Sequence, residues 1–447
     1  MKDFIFNFYL KSPPIVKRIF ANIEAIRRDK YRRIWGQKPI VFSEDITGSS
    51  EEVYIEKINS LLRYASENCD YYSFLRDEYT INQLKDFSSI PLLSKQDIRD
   101  NAAEIVSNIT NIKKLWKGST SGSTGTPLRY YRDVKSVNNE RLWYDAYYSH
   151  CGCDINDRHV RLSGVKVASF DKQKPPYWIY IDKYKQLQCS AYHISRETYR
   201  EYIKAFIKYE TSYATGYPSC FSALASFMYE DGISYDGFKA IITDSEGLLP
   251  EDKEKIEKAF KCNVFKTYGL AEVGMFAVQC ASGNYHILPS HYVEIVDSTG
   301  KVMPDGIEGE IAVTDLNSFS YPFIRYKTGD LGIIQHNACE CGLSQPYLTD
   351  ITGRVEDYIL TPEGRKITRL TLIVKPAVGV KESQIIQISA DEIIINVVPD
   401  HDFDENSMQK VLDTAKNFVG NMKVSWRVVE RLERMPSGKL KFLVRKI

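Results

Sequence analysis

Ser119-Thr120-Ser121-Gly122-Ser123-Thr124-Gly125-Thr126-Pro127 packs hydroxyls and glycines into nine consecutive positions. Glycines let backbone N–H groups turn inward and hydroxyls add further donors, so such a stretch can wrap a polyphosphate. It is not the Walker form, because no Gly-Lys-Ser/Thr follows. On composition alone, a flexible Ser/Gly linker competes with the phosphate loop. Outward from it, short apolar runs alternate with glycine-rich turns and helical patterns. Residues 240–243, 250–260 and 264–268 read as strand, helix, strand, the spacing of a βαβ unit in a mixed or parallel sheet. Upstream, Val53, Ile55, Ile58, Leu61, Leu62 and Tyr64 give 51–75 a helical spacing, and Ser94 with Asp97 has the form of a helix capping box.

The texture changes after Gly353. Residues 382–388, 393–398 and 424–432 read as strands and 406–418 as a helix, a small α+β pattern that ends in a polar loop at Pro436. A chain of 447 residues exceeds one compact core. The expected architecture is α/β: a large multi-subdomain N-terminal domain, 1–352, with mixed sheets and flanking helices, and a small mobile α+β domain, 353–447, pivoting near Gly353 and Arg354.

Composition narrows the chemistry. With 59 Lys+Arg against 58 Asp+Glu there is no global field for a polyanion, so nucleic acid is not an expected partner. Nine scattered cysteines argue against a disulfide framework and for a reducing, cytoplasmic setting. No apolar run reaches the roughly 20 residues that span a bilayer. The N-terminus differs in character: Phe4, Ile5, Phe6, Phe8 and Leu10 lead into Arg27, Arg28, Lys30, Arg32 and Arg33. Such an arm suits weak contact with an anionic membrane surface, or else packs its apolar side on the protein.

Four further segments follow the hydroxyl-glycine loop in order: Tyr268-Gly269-Leu270-Ala271-Glu272, Tyr326-Lys327-Thr328-Gly329-Asp330, Gly353-Arg354-Val355-Glu356-Asp357 and Pro436-Ser437-Gly438-Lys439. With them the chain resembles the adenylate-forming superfamily of acyl-CoA synthetases, luciferases and peptide-synthetase adenylation domains. Pro91-Leu92-Leu93-Ser94-Lys95-Gln96-Asp97, Gly216-Tyr217-Pro218-Ser219 and Cys339-Glu340-Cys341-Gly342 resemble its phenylacetate-CoA ligase and CapK-like capsular polysaccharide branch.

The resemblance implies that 1–352 is an adenylation domain and that Ser121, Gly122, Ser123, Thr124, Gly125 and Thr126 hold the β- and γ-phosphates of ATP. It implies that Glu272 helps hold Mg²⁺, Tyr268 lies against the adenine, and Asp330 accepts hydrogen bonds from the ribose hydroxyls. Arg354 would support the ribose and phosphate end, and Lys439 would bridge the substrate carboxylate and the α-phosphate. The activity it implies is activation of a small carboxylic acid to its acyl-AMP, then transfer to CoA. A sugar or carrier in surface polysaccharide synthesis is the alternative acceptor, and a non-catalytic nucleotide-binding scaffold the alternative of another class.

Three positions depart from the pattern. Leu128 stands where many members place a Lys, Ser245-Glu246 where the branch has Gly-Glu, and Glu356 where an Asp serves as hinge. Separately, Cys280, His286, Cys339 and Cys341 offer three thiolates and an imidazole, enough for a closed structural Zn²⁺ site. Similar positions occur in zinc-containing members of the branch, and two ordinary loops with free thiols are the alternative. Cys151-Gly152-Cys153 reads as a plain turn.

Overall fold

The computed structural model describes residues 9–10, 12–29, 40–42, 46, 50–76, 80–119, 128–169, 172–354, 358–362, 366–367, 370–374, 376–434 and 440–447. The chain forms two compact units: one of Met1–Ile23, Asn156–Val264 and Thr352–Ile447, the other of Glu24–Ile155 and Phe265–Ile351.

Helix α1 is Pro14–Asp29 and α2 is Glu51–Asn68. In α2, Tyr54, Ile58, Leu61, Leu62 and Ala65 recur every three or four residues and are buried, while Glu51 and Glu52 oppose the positive end of the helix dipole. The expected helix over 51–75 breaks at Cys69, whose backbone is extended, and resumes as a 3₁₀ turn over Asp70–Leu75. The break coincides with Asn108, whose N–H takes the Asn68 carbonyl at 2.7 Å. Ser94 and Asp97 form the expected capping box at the start of α3, Lys95–Asp100.

Strands β1 (Trp116–Ser119) and β2 (Arg129–Arg132) pair antiparallel on either side of the hydroxyl-glycine loop. Gly118 faces Tyr130 across this ribbon, and a Cβ there would lie 2.1 Å from the tyrosine ring, so any larger residue would require that ring to move. Helix α4, Val134–His150, follows, its first turn capped by Asp133.

In the unit containing Asn156–Val264, strands β3 (His159–Ser163), β4 (Trp178–Ile181), β5 (Gln186–Ser190), β6 (Tyr213–Gly216) and β7 (Ala240–Thr243) form a mixed sheet. Strand β3 is parallel to both β5 and β6, β6 to β7, and β4 is the antiparallel edge. Every residue of β6 and β7 is buried, as expected of strands covered on both faces. Helices α5 (Tyr199–Lys208), α6 (Pro218–Glu230) and α7 (Pro250–Phe260) supply Phe206, Phe221, Leu224 and Phe260 to its core.

The other unit holds β8 (Asn263–Leu270) from Phe265 on, β9 (Gly274–Gln279), β10 (Tyr285–Ile287), β11 (His291–Val296), β12 (Gly309–Asp315), β13 (Tyr326–Gln335) and β14 (Tyr347–Arg354) as far as Ile351, in sheet order β11-β12-β13-β14-β10-β9-β8. Strands β15 (Ile359–Leu360) and β16 (Lys366–Ile367) and helix α8 (Thr371–Val374) open the C-terminal part. After them, β17 (Val378–Ser389), β18 (Glu392–Asp404), α9 (Ser407–Val419), β19 (Lys423–Val428) and β20 (Leu443–Arg445) make the expected α+β fold, strand order β19-β18-β17-β20. The last long strand ends four residues before the expected 432, because β18, its partner, pairs only as far as Val428. Among the described residues no helix is long and apolar enough to cross a membrane.

Candidate active site and metal centre

Glu272 lies in the tight turn between β8 and β9, and only 3% of it is exposed. The Tyr326 hydroxyl, at the start of β13, donates to Glu272 Oε1 at 2.7 Å. No Lys or Arg pairs with Glu272 among the described residues, so this buried carboxylate fits a role as a cation ligand. Tyr130, on β2 just after the hydroxyl-glycine loop, is pushed up to about 12 by burial and then by Glu272. Sequence reasoning assigned roles to neither Tyr130 nor Tyr326; the one available signal was that Tyr326 opens the Tyr-Lys-Thr-Gly-Asp motif.

Four residues further along β13, Asp330 accepts the Tyr268 hydroxyl at 2.8 Å. The turn is built for that placement. Gly329 has φ +80°, and the Asp330 N–H donates to Thr328 Oγ1, which in turn donates to the Ile311 carbonyl at 2.9 Å. Lys95 donates to the Thr328 carbonyl, and Leu93 bonds the backbone on both sides of Tyr326, so the Pro91–Asp97 motif buttresses β13. Arg325 completes the splint with a bidentate pair to Glu294 and hydrogen bonds to the Ser88 and Ile90 carbonyls.

In the other unit, Gly216-Tyr217-Pro218-Ser219 turns β6 into α6, with Pro218 in the first helical turn. Gly216 has φ +142°, and a Cβ there would meet the Leu162 carbonyl at 1.9 Å. The N-terminal N–H of Ser219 donates to Glu246 Oε2 at 3.2 Å, and the Leu440 N–H, next to Lys439, donates to Glu246 Oε1 at 3.3 Å. Arg434 donates to Ser219 Oγ and pairs with Glu382. Burial raises the pKa of Glu246, opposed by the Ser219 side-chain hydrogen bond and by Arg434.

Ser121, Gly122, Ser123, Thr124, Gly125, Thr126, Glu356 and Lys439 lie outside the described residues, and Arg354 is described only as the backbone end of β14. Leu128, standing where a Lys is common, is buried in the core of its unit. Cys151 and Cys153 are buried in a turn with Gly152 at φ +79°.

Cys280, His286, Cys339 and Cys341 converge, their ligand atoms all within 4.8 Å of one another. Cys280 Sγ is 3.9 Å from Cys339 Sγ, and Cys341 Sγ is 3.2 Å from His286 Nε2. A tetrahedron with Zn–S bonds near 2.3 Å has S···S edges of about 3.8 Å, so the four fit one zinc ion. Two tight turns present the thiols. Gly283 N–H returns to the Cys280 carbonyl and Gly342 N–H to the Cys339 carbonyl, with φ of +85° and +89° at the two glycines. Burial lowers the His286 pKa, which keeps the imidazole neutral as a ligand must be, and pushes Cys341 up to about 12. Three thiols this close cannot all ionise without a cation among them.

The chain is similar to several known proteins. The CapK C-terminal domain family matches residues 359–446. Protein CapK of Staphylococcus aureus is 26% identical over 411 residues, 89% of each chain. A phenylacetate-coenzyme A ligase of Thermus thermophilus is 22% identical over 325 residues, 68% of this chain and 70% of that one. The sequence likeness to CapK and to a phenylacetate-CoA ligase agrees with the adenylate-forming resemblance read from the motifs. The branch and the enzyme class expected from the sequence, an AMP-forming acid ligase, agree with these relatives. The fold agrees as well. A crystal structure of 2-hydroxyisobutyryl-CoA ligase in a postadenylation state with a bound acyl-AMP superposes with a TM-score of 0.68, at 17% identity over 89% of each chain. One of an anthranilate CoA ligase with anthranoyl-AMP reaches 0.54 at 13% identity, covering 77% of this chain and 69% of that one.

Proposed function

We propose that this enzyme joins a small carboxylic acid to AMP, using ATP with Mg²⁺, and passes the acyl group to CoA. The observation that carries it is the pair of motif carboxylates, Glu272 and Asp330, each oriented by a tyrosine hydroxyl on adjoining motif segments. In this reading Glu272 is a ligand of Mg²⁺, which neutralises phosphate charge when bound. Tyr326 fixes the angle of that carboxylate, and Asp330, already held by Tyr268, accepts the ribose hydroxyls. Ser121 to Thr126 hold the β- and γ-phosphates, Tyr268 borders the adenine and Arg354 supports the ribose end. The substrate carboxylate attacks the α-phosphorus, the new C–O–P anhydride forms, and the bond to pyrophosphate breaks. Lys439 neutralises the charge shared by carboxylate and α-phosphate, carried there by a mobile domain of 353–447. The hydrogen bond from Leu440 to Glu246 supports this, since it ties the residue beside Lys439 to the Gly-Tyr-Pro-Ser turn. The thioester then forms as CoA attacks the acyl carbonyl and AMP departs.

A sugar or carrier acceptor is the second reading. It is favoured by the length of the CapK match, 89% of the chain against 68% for the phenylacetate-CoA ligases. A structural Zn²⁺ at Cys280, His286, Cys339 and Cys341 belongs to either reading.

The test is pyrophosphate exchange into ATP across a panel of carboxylic acids, followed by an acceptor screen. Exchange should depend on a particular acid, and Lys439→Ala should lower it on the order of a hundredfold or more while sparing transfer from a supplied acyl-adenylate. Folded protein that binds ATP yet exchanges with no acid would overturn the adenylation reading.

A further inference from the structure

Helix α1 is inside out. At 100° per residue, Ile15, Ile19, Ile23 and Ile26 fall within one arc of about 80°. That stripe faces away from the protein: the four isoleucines are 70%, 56%, 58% and 61% exposed, and Phe20 beside them is 46% exposed. The flank and back of the helix do the docking, where Ala25 is buried beside polar groups. Lys17, buried, donates to the Val167 carbonyl at 3.2 Å, Arg18 pairs with Asp182, and Asn22 donates to the same carboxylate while accepting from the Lys183 N–H. A helix that only needed a place on this protein would bury its isoleucines, as α9 buries Met408, Val411, Ala415 and Val419. Here ion pairs and hydrogen bonds fix the orientation and hold five large apolar side chains outward, a patch that marks an interaction surface.

Charge identifies what covers it. Residues 1–33 hold nine Lys/Arg and three Asp/Glu, whereas the whole chain is nearly neutral at 59 against 58, so the positive excess falls on the stretch of sequence that carries this helix. An apolar stripe within a basic stretch of sequence suits an anionic lipid surface, where such a stripe enters the acyl boundary and neighbouring cations meet headgroup phosphates. A protein partner or a second copy would accept the stripe without using the charge.

We propose that α1 seats the enzyme on anionic membranes, lying in the interface by its isoleucine face. The full chain should float with phosphatidylcholine vesicles containing phosphatidylglycerol and not with phosphatidylcholine alone, and raised salt should weaken the attachment. Combined Ile15→Gln, Ile19→Gln and Ile23→Gln should reduce the bound fraction on the order of tenfold or more, since each swap removes buried apolar area. The melting curve should be unchanged, because these side chains are exposed in the fold. No flotation, or equal flotation of the triple variant, would overturn the proposal. So would light scattering that shows a dimer which the same substitutions return to monomer, since the stripe would then belong to a second copy.

Discussion

Glu272 and Asp330 each meet a tyrosine hydroxyl, whereas Cys280, His286, Cys339 and Cys341 meet one another. Both clusters are polar, mostly buried and in the same compact unit, yet they are satisfied differently. The four donors of the cysteine corner converge on one point and leave no side for a substrate, the arrangement of a structural metal. The carboxylates are each oriented by a tyrosine hydroxyl and do not converge on one point, an arrangement that suits groups contacting different parts of a ligand. On the proposed reading the cysteine corner serves stability and the carboxylates serve chemistry, and each role can be broken separately.

The largest effect is expected at Glu272. Glu272→Gln keeps the shape and an acceptor for Tyr326 but removes the charge that a phosphate-bound cation requires. Acid-dependent pyrophosphate exchange should fall on the order of a hundredfold or more, with zinc content and melting midpoint unchanged. If exchange survived, or if the midpoint fell with it, the carboxylate would be a structural group and the contrast would collapse.

The cysteine corner should respond the other way. Protein purified without added metal should carry about one zinc per chain, lost on combined Cys339→Ser and Cys341→Ser. The melting midpoint should then drop by at least about 5 °C, given roughly 2–4 °C per kcal/mol for units of this size. Exchange assayed well below that midpoint should fall less than tenfold, far short of the Glu272 effect. Absence of zinc by metal analysis, or loss of exchange without loss of stability, would reassign the cluster.

Much of this was legible in the sequence because it rests on local rules. The 240–243, 250–260 and 264–268 elements, the Ser94 capping box and the three expected C-terminal strands with their helix follow from periodicity and caps, and all are present, whereas the short fourth strand Leu443–Arg445 was not expected. The zinc quartet was legible as donor types, although its convergence depends on β10 and the β13–β14 loop meeting in space. What escaped notice depends on long-range contact. Tyr326 reaches Glu272 across 54 residues, and Arg325 holds backbone carbonyls more than 230 residues away, distances at which no spacing rule operates. The break of the 51–75 helix at Cys69 belongs to the same class, since its partner at Asn108 is remote in sequence.

The smallest expected effect tests a change that should touch neither cluster. Ser245 departs from the branch's Gly-Glu, and its φ of +69° shows why glycine is the usual residue: a Cβ in the left-handed region crowds the following carbonyl. Ser245 recovers part of that cost by donating from Oγ to Asp244 Oδ1 at 2.8 Å, but it is exposed, where such a bond competes with water. Ser245→Gly removes strain of about 1–2 kcal/mol, loses this bond, and gives the unfolded chain more freedom, worth about 0.4–1 kcal/mol. The balance should be a gain of roughly 0.5 kcal/mol, a rise of about 1–2 °C in melting midpoint, with zinc content and exchange both unchanged. Ser245→Ala, which keeps the Cβ and discards the hydroxyl, should be no more stable than the starting protein. If glycine lowered the midpoint instead, the hydroxyl bond would outweigh the backbone strain, and the departure from Gly-Glu would be a stabilising feature of this chain.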